Sequence, residues 1–320
     1  MRILGTGGAL PDNEVPNGAF SGIVDTSDEW IVSRTGIRSR RIASGDTALS
    51  LASAAAERAI AAAGIPRERI SVVICACVTG ETLTPSLACL LQRDLALREN
   101  DILAFDINAA CTGFIYALSL ARRLPLPGEY ALVVGCEALS RVTDFTDRAT
   151  CVLFGDGAGA VILEASDGEF HFVSGARGDD KALVIGSIPA APNPFAETRA
   201  APPPPSTISM NGQEVFRFAV ESMVKSVREV TARAGLSPND VHHFVCHQAN
   251  RRIIESAAGR LGAPLERFFI NIESRGNTSA ASVPLALDEL RASGGLHRGE
   301  RVVLAGFGGG LTYGAIYMIW

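Results

Sequence analysis

The chain holds no apolar run near the ~18 residues needed to cross a bilayer, no surplus of cations and no CxxC pair. Each absence removes a class of function. Lys plus Arg number 29 against 34 for Asp plus Glu, a net charge of −5, whereas a broad nucleic-acid surface needs excess cations to displace counterions from phosphates. The opening Met1-Arg2-Ile3-Leu4-Gly5 lacks the charged stretch, apolar core and cleavage site of a secretory signal. No membrane association, no nucleic-acid partner and a cytoplasmic location are therefore expected. Seven cysteines, at 75, 77, 89, 111, 136, 151 and 246, are an odd number lying mostly in apolar runs, which points away from a disulfide framework and from a thiolate zinc site. His242 and His243 are adjacent and would face opposite ways on a strand, and no carboxylate stands at ligand spacing, so no metal site is expected. Neither GxGxxG nor GxxxxGK[ST] occurs, which removes dinucleotide-loop and P-loop readings.

Charged residues are scarce at 20% beside 47% hydrophobic, a balance that excludes a disordered or fibrous chain. At 320 residues one large α/β unit and two fused halves are both open. Short β-branched runs (Val72 to Val78, Ala104 to Ile107, Ala131 to Gly135, Gly159 to Leu163, Phe244 to Cys246, Val302 to Gly306) alternate with Ala-rich or helically periodic segments, the pattern of layered α/β. Phe216, Val220, Met223, Val227, Val230 and Ala234 step by four and three residues, and Gly235 and Pro238 follow. The spacing predicts one amphipathic helix over 214–234. A shift of 171 residues lays Ala61, Gly64, Ile65, Ile70 and Cys75 on Ala232, Gly235, Leu236, Val241 and Cys246. Phe105 to Leu118 has a counterpart at Phe269 to Leu287, and residues 155–163 have one at 306–319. An internal duplication is expected, with halves 1–170 and 171–320. Ile188 to Thr207, with its run Pro202 to Pro205, reads as a stiff surface connection.

Chemistry concentrates at three strand ends, where α/β folds place ligands. Cys111 follows the strand Phe105-Asp106-Ile107 just before a helical pattern, and a helix N-terminus favours the thiolate that a nucleophile needs. A buried structural cysteine is the competing reading. The second cluster is His247-Gln248-Ala249-Asn250 and the third is Gly276-Asn277-Thr278-Ser279, each residue of which could equally serve as a cap or turn. Gly155-Asp156-Gly157-Ala158-Gly159 and Gly306-Phe307-Gly308-Gly309-Gly310 each precede a strand and suit close backbone packing or bare amides offered to a ligand.

Together, Asp25-Thr26-Ser27-Asp28-Glu29-Trp30-Ile31-Val32-Ser33-Arg34-Thr35-Gly36-Ile37, the Cys111 segment, Phe154 to Ala160, His247 to Asn250, Gly276 to Ser279 and Gly306 to Gly310 resemble the β-ketoacyl-acyl-carrier-protein synthase III family over essentially the whole chain. The resemblance implies the thiolase fold, a five-layered αβαβα duplication, in a homodimer with one active site per subunit. It implies decarboxylative Claisen condensation of an acyl-CoA primer with malonyl-acyl-carrier protein, without metal or redox cofactor. Cys111 would be the acyl-accepting nucleophile, with His247 and Asn277 completing the triad and the amides of Cys111 and Gly309 forming an oxyanion hole. Trp30 and Arg148 would sandwich the CoA adenine, with Arg34 and Thr26 nearby and Asn250 on the pantetheine arm. Arg217, Arg252 and Arg260 would receive the acidic carrier protein. Thr84 stands where many acetyl-using members carry an aromatic that crosses the dimer interface to floor the acyl pocket, so the primer is left open.

Cys, His and Asn also serve papain-like hydrolases, but no CGSC[WY] surrounds Cys111. Two other readings keep the fold: transfer of the acyl group to an alcohol or amine without decarboxylation, and a non-catalytic subunit, against which the intact triad argues.

Overall fold

Strands Ile70–Ala76 and Tyr130–Glu137 are apolar but for Ser71 and the closing Glu137, because neither of their faces meets water. Val72, Ile74 and Ala76 enter a core shared with Phe114, Ile115, Val283 and Leu287. Val73 and Cys75, one residue out of phase, pack on the opposite face against Leu51, Ala55 and Ala59. The same alternation divides Val302 and Leu304 from Val303, Ala305 and Phe307 in strand Arg301–Gly308. The computed structural model that shows this packing describes residues 1–98, 101–186 and 206–320.

Two sheets carry the molecule. The first runs Arg2–Ala9, Gly157–Glu164, Tyr130–Glu137, Ile70–Ala76, Leu103–Ile107, with two antiparallel junctions followed by two parallel ones. The second runs Phe170–Ala176, Thr312–Ile319, Arg301–Gly308, His243–Cys246, with two antiparallel junctions and then a parallel one. A parallel bridge from Phe244 to Phe268 extends it in the same sense.

Helices Gly113–Ala121 and Ser282–Ala292 lie between the sheets, and their buried residues form the shared core. Ala48–Ala63 and Leu87–Asp94 cover the outer face of the first sheet. Gly212–Arg233 and Arg251–Leu261 cover that of the second. The result is the five-layered αβαβα order of the thiolase fold. The long helix expected over 214–234 runs Gly212–Arg233, started by the Asn211 side chain accepting from the Glu214 amide and stopped by Gly235 at φ +69°. Residues 187–205, most of the Pro-rich connection, lie outside the described residues. No helix among the described residues is long and apolar enough to cross a membrane.

Glycine lets the middle layer close. A Cβ on Gly159 would stand 2.6 Å from the Leu285 amide nitrogen, and one on Gly135 would meet the Ala280 carbonyl. Close packing therefore accounts for Gly159 of the first glycine cluster.

Candidate active site

The nucleophile candidate is placed by a strained turn. After strand Leu103–Ile107 the chain passes through Ala110 at φ +45° into the tight turn Ala110–Thr112, which leads into helix Gly113–Ala121. The second half repeats the device: Ser279 at φ +48° opens the turn Ser279–Ala281 before helix Ser282–Ala292. Left-handed backbone at a non-glycine residue is costly and persists where packing over-determines it. Cys111 and Ala280 are the second residues of these two turns.

The Cys111 thiol departs from the sequence expectation. The start of a helix was expected to lower its pKa, but burial pushes it up to about 12, against a hydrogen bond from Ser279 that favours the thiolate, and the Glu137 carboxyl adds to the rise. Complete desolvation of a charge outweighs the partial charge of a helix end. Cys111 therefore rests as a thiol.

His247 extends from the end of strand His243–Cys246, its amide held by the Ala305 carbonyl at 2.8 Å and its ring edge-on to Phe307 at 5.0 Å. Burial lowers its pKa to about 3, so the imidazole is neutral. Nδ1 is enclosed without a partner among the described residues, leaving Nε2 to serve the cavity. Asn277 is locked at the junction of the two halves: its amide donates to the Leu153 carbonyl at 2.9 Å, and its carbonyl accepts from Gly155 at 3.0 Å. Its side-chain oxygen accepts from the Ser279 amide at 2.9 Å, which turns its NH₂ group, a donor only, away from that contact.

These residues share one cavity of about 530 Å³, a size typical of small-molecule sites. Buried Cys111, His247, Asn277 and Ser279 contribute its polar groups, and Leu139, Phe154 and Ile208 are among its apolar lining. Exposed Arg34, Gln213 and Arg252, with half-buried Trp30, mark its open end. A titratable thiol, a neutral imidazole and a carboxamide thus meet in a chamber open at one end.

Comparison with known proteins decides the family. Residues 105–187 match the 3-oxoacyl-[acyl-carrier-protein (ACP)] synthase III family and residues 231–320 match its C-terminal region. The β-ketoacyl-[acyl-carrier-protein] synthase III of Clostridium acetobutylicum is 47% identical, over 100% of this chain and 98% of that protein. The chain belongs to the β-ketoacyl-[acyl-carrier-protein] synthase III family. It is accordingly a condensing acyltransferase that starts fatty-acid or polyketide chains. The crystal structure of 3-oxoacyl-[acyl-carrier-protein] synthase III from Aquifex aeolicus superposes with a TM-score of 0.91 at 40% identity, covering 100% of this chain and 99% of that one. The priming β-ketosynthase of the R1128 polyketide pathway superposes with a TM-score of 0.88 at 38% identity, covering 99% and 95%.

Within this synthase III framework the other sequence candidates fall into place unevenly. Trp30, Arg34, Asn250 and Arg252 line the cavity. Arg148 does not, and its guanidinium lies over the Trp30 ring at 4.8 Å. A ring between them would need about 7 Å, two carbon contact distances, so the expected sandwich is replaced by direct stacking and opens only if Arg148 moves. Asn250 has both ends of its carboxamide engaged, accepting from the Arg252 amide at 2.9 Å and donating to the Arg34 carbonyl at 3.0 Å. The Thr26 hydroxyl is enclosed without a partner among the described residues. Gly308 lines the cavity, whereas a Cβ on Gly309 would face Leu183. Arg217 is exposed on the long helix. Arg260 lies apart with Lys225 and Arg228 in a surface groove. Thr84 is exposed and does not line its own chain's cavity.

Sequence reasoning gave no role to Ser279 and passed over Glu137 and Arg40. Glu137 is wholly buried and held by the Thr79 hydroxyl at 2.6 Å. It is the lone carboxylate closing the apolar strand Tyr130–Glu137, and that anomaly was the available signal. Arg40, also fully buried, stacks on Phe20 at 4.5 Å and donates to the Val152 carbonyl at 2.6 Å. It thereby braces the segment whose next residue, Leu153, holds the Asn277 amide.

Proposed function

We propose that this chain joins an acyl group from acyl-CoA to malonyl-acyl-carrier protein through an acyl-Cys111 intermediate, with loss of CO₂. The observation that carries the reading is the enclosure of Cys111, His247 and Asn277 on one cavity whose far end opens at Trp30 and Arg34. In the first half-reaction the Cys111 sulfur attacks the acyl-CoA thioester carbonyl, CoA leaves as its thiol, and the proton of Cys111 passes to it. The amides of Cys111 and Gly309 are the proposed donors to the tetrahedral oxyanion. In the second, the neutral His247 Nε2–H and the Asn277 NH₂ donate to the thioester oxygen of the malonyl group, so that the electron pair released with CO₂ rests as an enolate. Its carbon attacks acyl-Cys111, the new C–C bond forms as the C–S bond breaks, and the departing thiolate is reprotonated. Decarboxylation itself supplies the carbanion, so the chemistry calls for no metal or redox cofactor.

Trp30, Arg148, Arg34, Thr26 and Asn250 are the proposed CoA contacts, with the stacked Arg148 swinging off Trp30 to admit the adenine. Arg217, Arg252 and Arg260 are the proposed carrier-protein contacts, Arg252 lying on the cavity rim and Arg260 in a separate surface groove. Transfer to an alcohol or amine is disfavoured by membership of a condensing family. We further infer two duplicated halves, 1–170 and 171–320, supported by the repeated strand order, and a homodimer. The dimer is supported by the open edge strand Leu103–Ile107, where Leu103 is 48% exposed, since bare apolar edges invite strand pairing. Seven free cysteines suit the cytoplasm.

Mass spectrometry of the protein after incubation with a panel of acyl-CoAs, followed by malonyl-acyl-carrier protein, tests this. An acyl adduct mapping to Cys111 and discharged with CO₂ release is expected. An adduct on another cysteine, or discharge to water alone, would sink it.

A further inference from the structure

The Glu137 carboxyl is enclosed beside the site without an ion pair among the described residues. Its two oxygens have different surroundings. Oε2 receives the Thr79 hydroxyl at 2.6 Å and the Val78 amide at 3.2 Å, and the Cys77 sulfur lies at 3.9 Å. The Thr79 hydroxyl in turn accepts from the Ala138 amide at 2.8 Å, which commits its own proton to Glu137. Oε2 is therefore fixed as an acceptor. Oε1 has one partner among the described residues, the Ser279 hydroxyl at 3.3 Å, and Ser279 lines the same cavity as Cys111, where its hydroxyl favours the thiolate.

One hydroxyl carries one proton. With Glu137 ionised, Ser279 donates to Oε1 and turns only lone pairs to Cys111. With Glu137 protonated, the proton sits on Oε1, the oxygen without other donors, and is offered to Ser279. Ser279 then donates to the sulfur. We propose that Glu137 is a positioning residue that sets, through Ser279, whether the Cys111 thiolate receives a hydrogen bond. This deepens the reading of Cys111 as the nucleophile and rests on it. Burial raises the Glu137 carboxyl to about 7, so both protonation states are populated near neutrality. The titratable groups that face it are the thiols of Cys77, Cys136 and Cys111. Ionised Glu137 both withdraws the Ser279 donor and sets a negative charge near the sulfur, and each effect disfavours the thiolate.

Alkylation of Cys111 by iodoacetamide, read peptide by peptide in the mass spectrometer over about pH 5 to 9, tests the relay without any CoA substrate. Failure of acyl transfer would therefore count against the proposed function and not against this inference. In the wild-type protein the logarithm of the rate should climb with pH, flatten near neutrality as Glu137 ionises, and climb again. Glu137→Gln keeps an oxygen for Thr79 and Val78 and points an NH₂ donor at Ser279, so its profile should climb without the flattening and exceed wild type by roughly tenfold at the alkaline end, the effect of one pKa unit. Ser279→Ala should shrink the flattening and slow the acid limb. A wild-type profile without a break overturns the proposal even if neither variant folds. A Glu137→Gln profile running parallel to wild type, or lowered equally at every pH as a merely structural defect would lower it, also overturns it.

Discussion

A Cβ on residue 308 would stand 2.7 Å from the amide nitrogen of Cys111. Gly308 and Cys111 come from opposite halves of the chain, and their contact sets the reactive sulfur against the second sheet. Gly308→Ala must push the Ala110–Thr112 turn away, and a displacement of about 1 Å at a reacting group costs on the order of 10²-fold in rate. Acylation of Cys111 should fall by at least that factor while the melting transition persists. Acylation at the wild-type rate would show that the turn yields freely.

His247 and Asn277 are expected to act after acylation. Replacing either by Ala should spare acyl transfer to Cys111 and suppress CO₂ release from malonyl-acyl-carrier protein by ~10²–10³, the loss typical of one oxyanion donor. Unchanged decarboxylation in both variants would return them to a purely architectural role.

Burial of His247 makes stability depend on acid. The unfolded imidazole takes up its proton near 6.5, while the folded one stays neutral until about pH 3. Its contribution is present in full above pH 6.5 and is lost as the pH falls towards about 3, at ~1.4 kcal/mol per pH unit. Denaturant melts of His247→Gln and wild type should therefore converge as the pH falls from 7 to 4. Parallel curves would place the imidazole in contact with water.

The pocket floor can be tested at Thr84. Leu87 is 3% exposed and committed to the core beneath its helix, so of these two neighbours of Thr84 it is Leu83 that is free to refill the space an aromatic would take. With a second subunit supplying Thr84 to the cavity, longer primers should be accepted. Thr84→Phe should then reduce acylation by roughly fourfold for each methylene excluded, from ~0.8 kcal/mol per buried CH₂, and leave acetyl transfer intact. A wild-type enzyme that takes acetyl alone contradicts this.

The strands and the long helix were legible because periodicity is a local property: Val72, Ile74 and Ala76 alternate with Val73 and Cys75 whatever lies on either side. The three polar clusters were legible because polar residues ending apolar strands are conspicuous in one dimension. Motif order and chemistry then carried the family. What the sequence could not determine depends on groups brought together from far along the chain. Burial, not the nearby helix start, governs the Cys111 thiol, and burial is a sum over the whole fold. Glu137 meets Ser279, 142 positions away, so one hydroxyl stands between a carboxyl and a thiol. Arg148 lies on Trp30 because two surface segments happen to abut. Side-chain protonation and orientation follow from desolvation and from which donor is already engaged, and only the tertiary structure decides either.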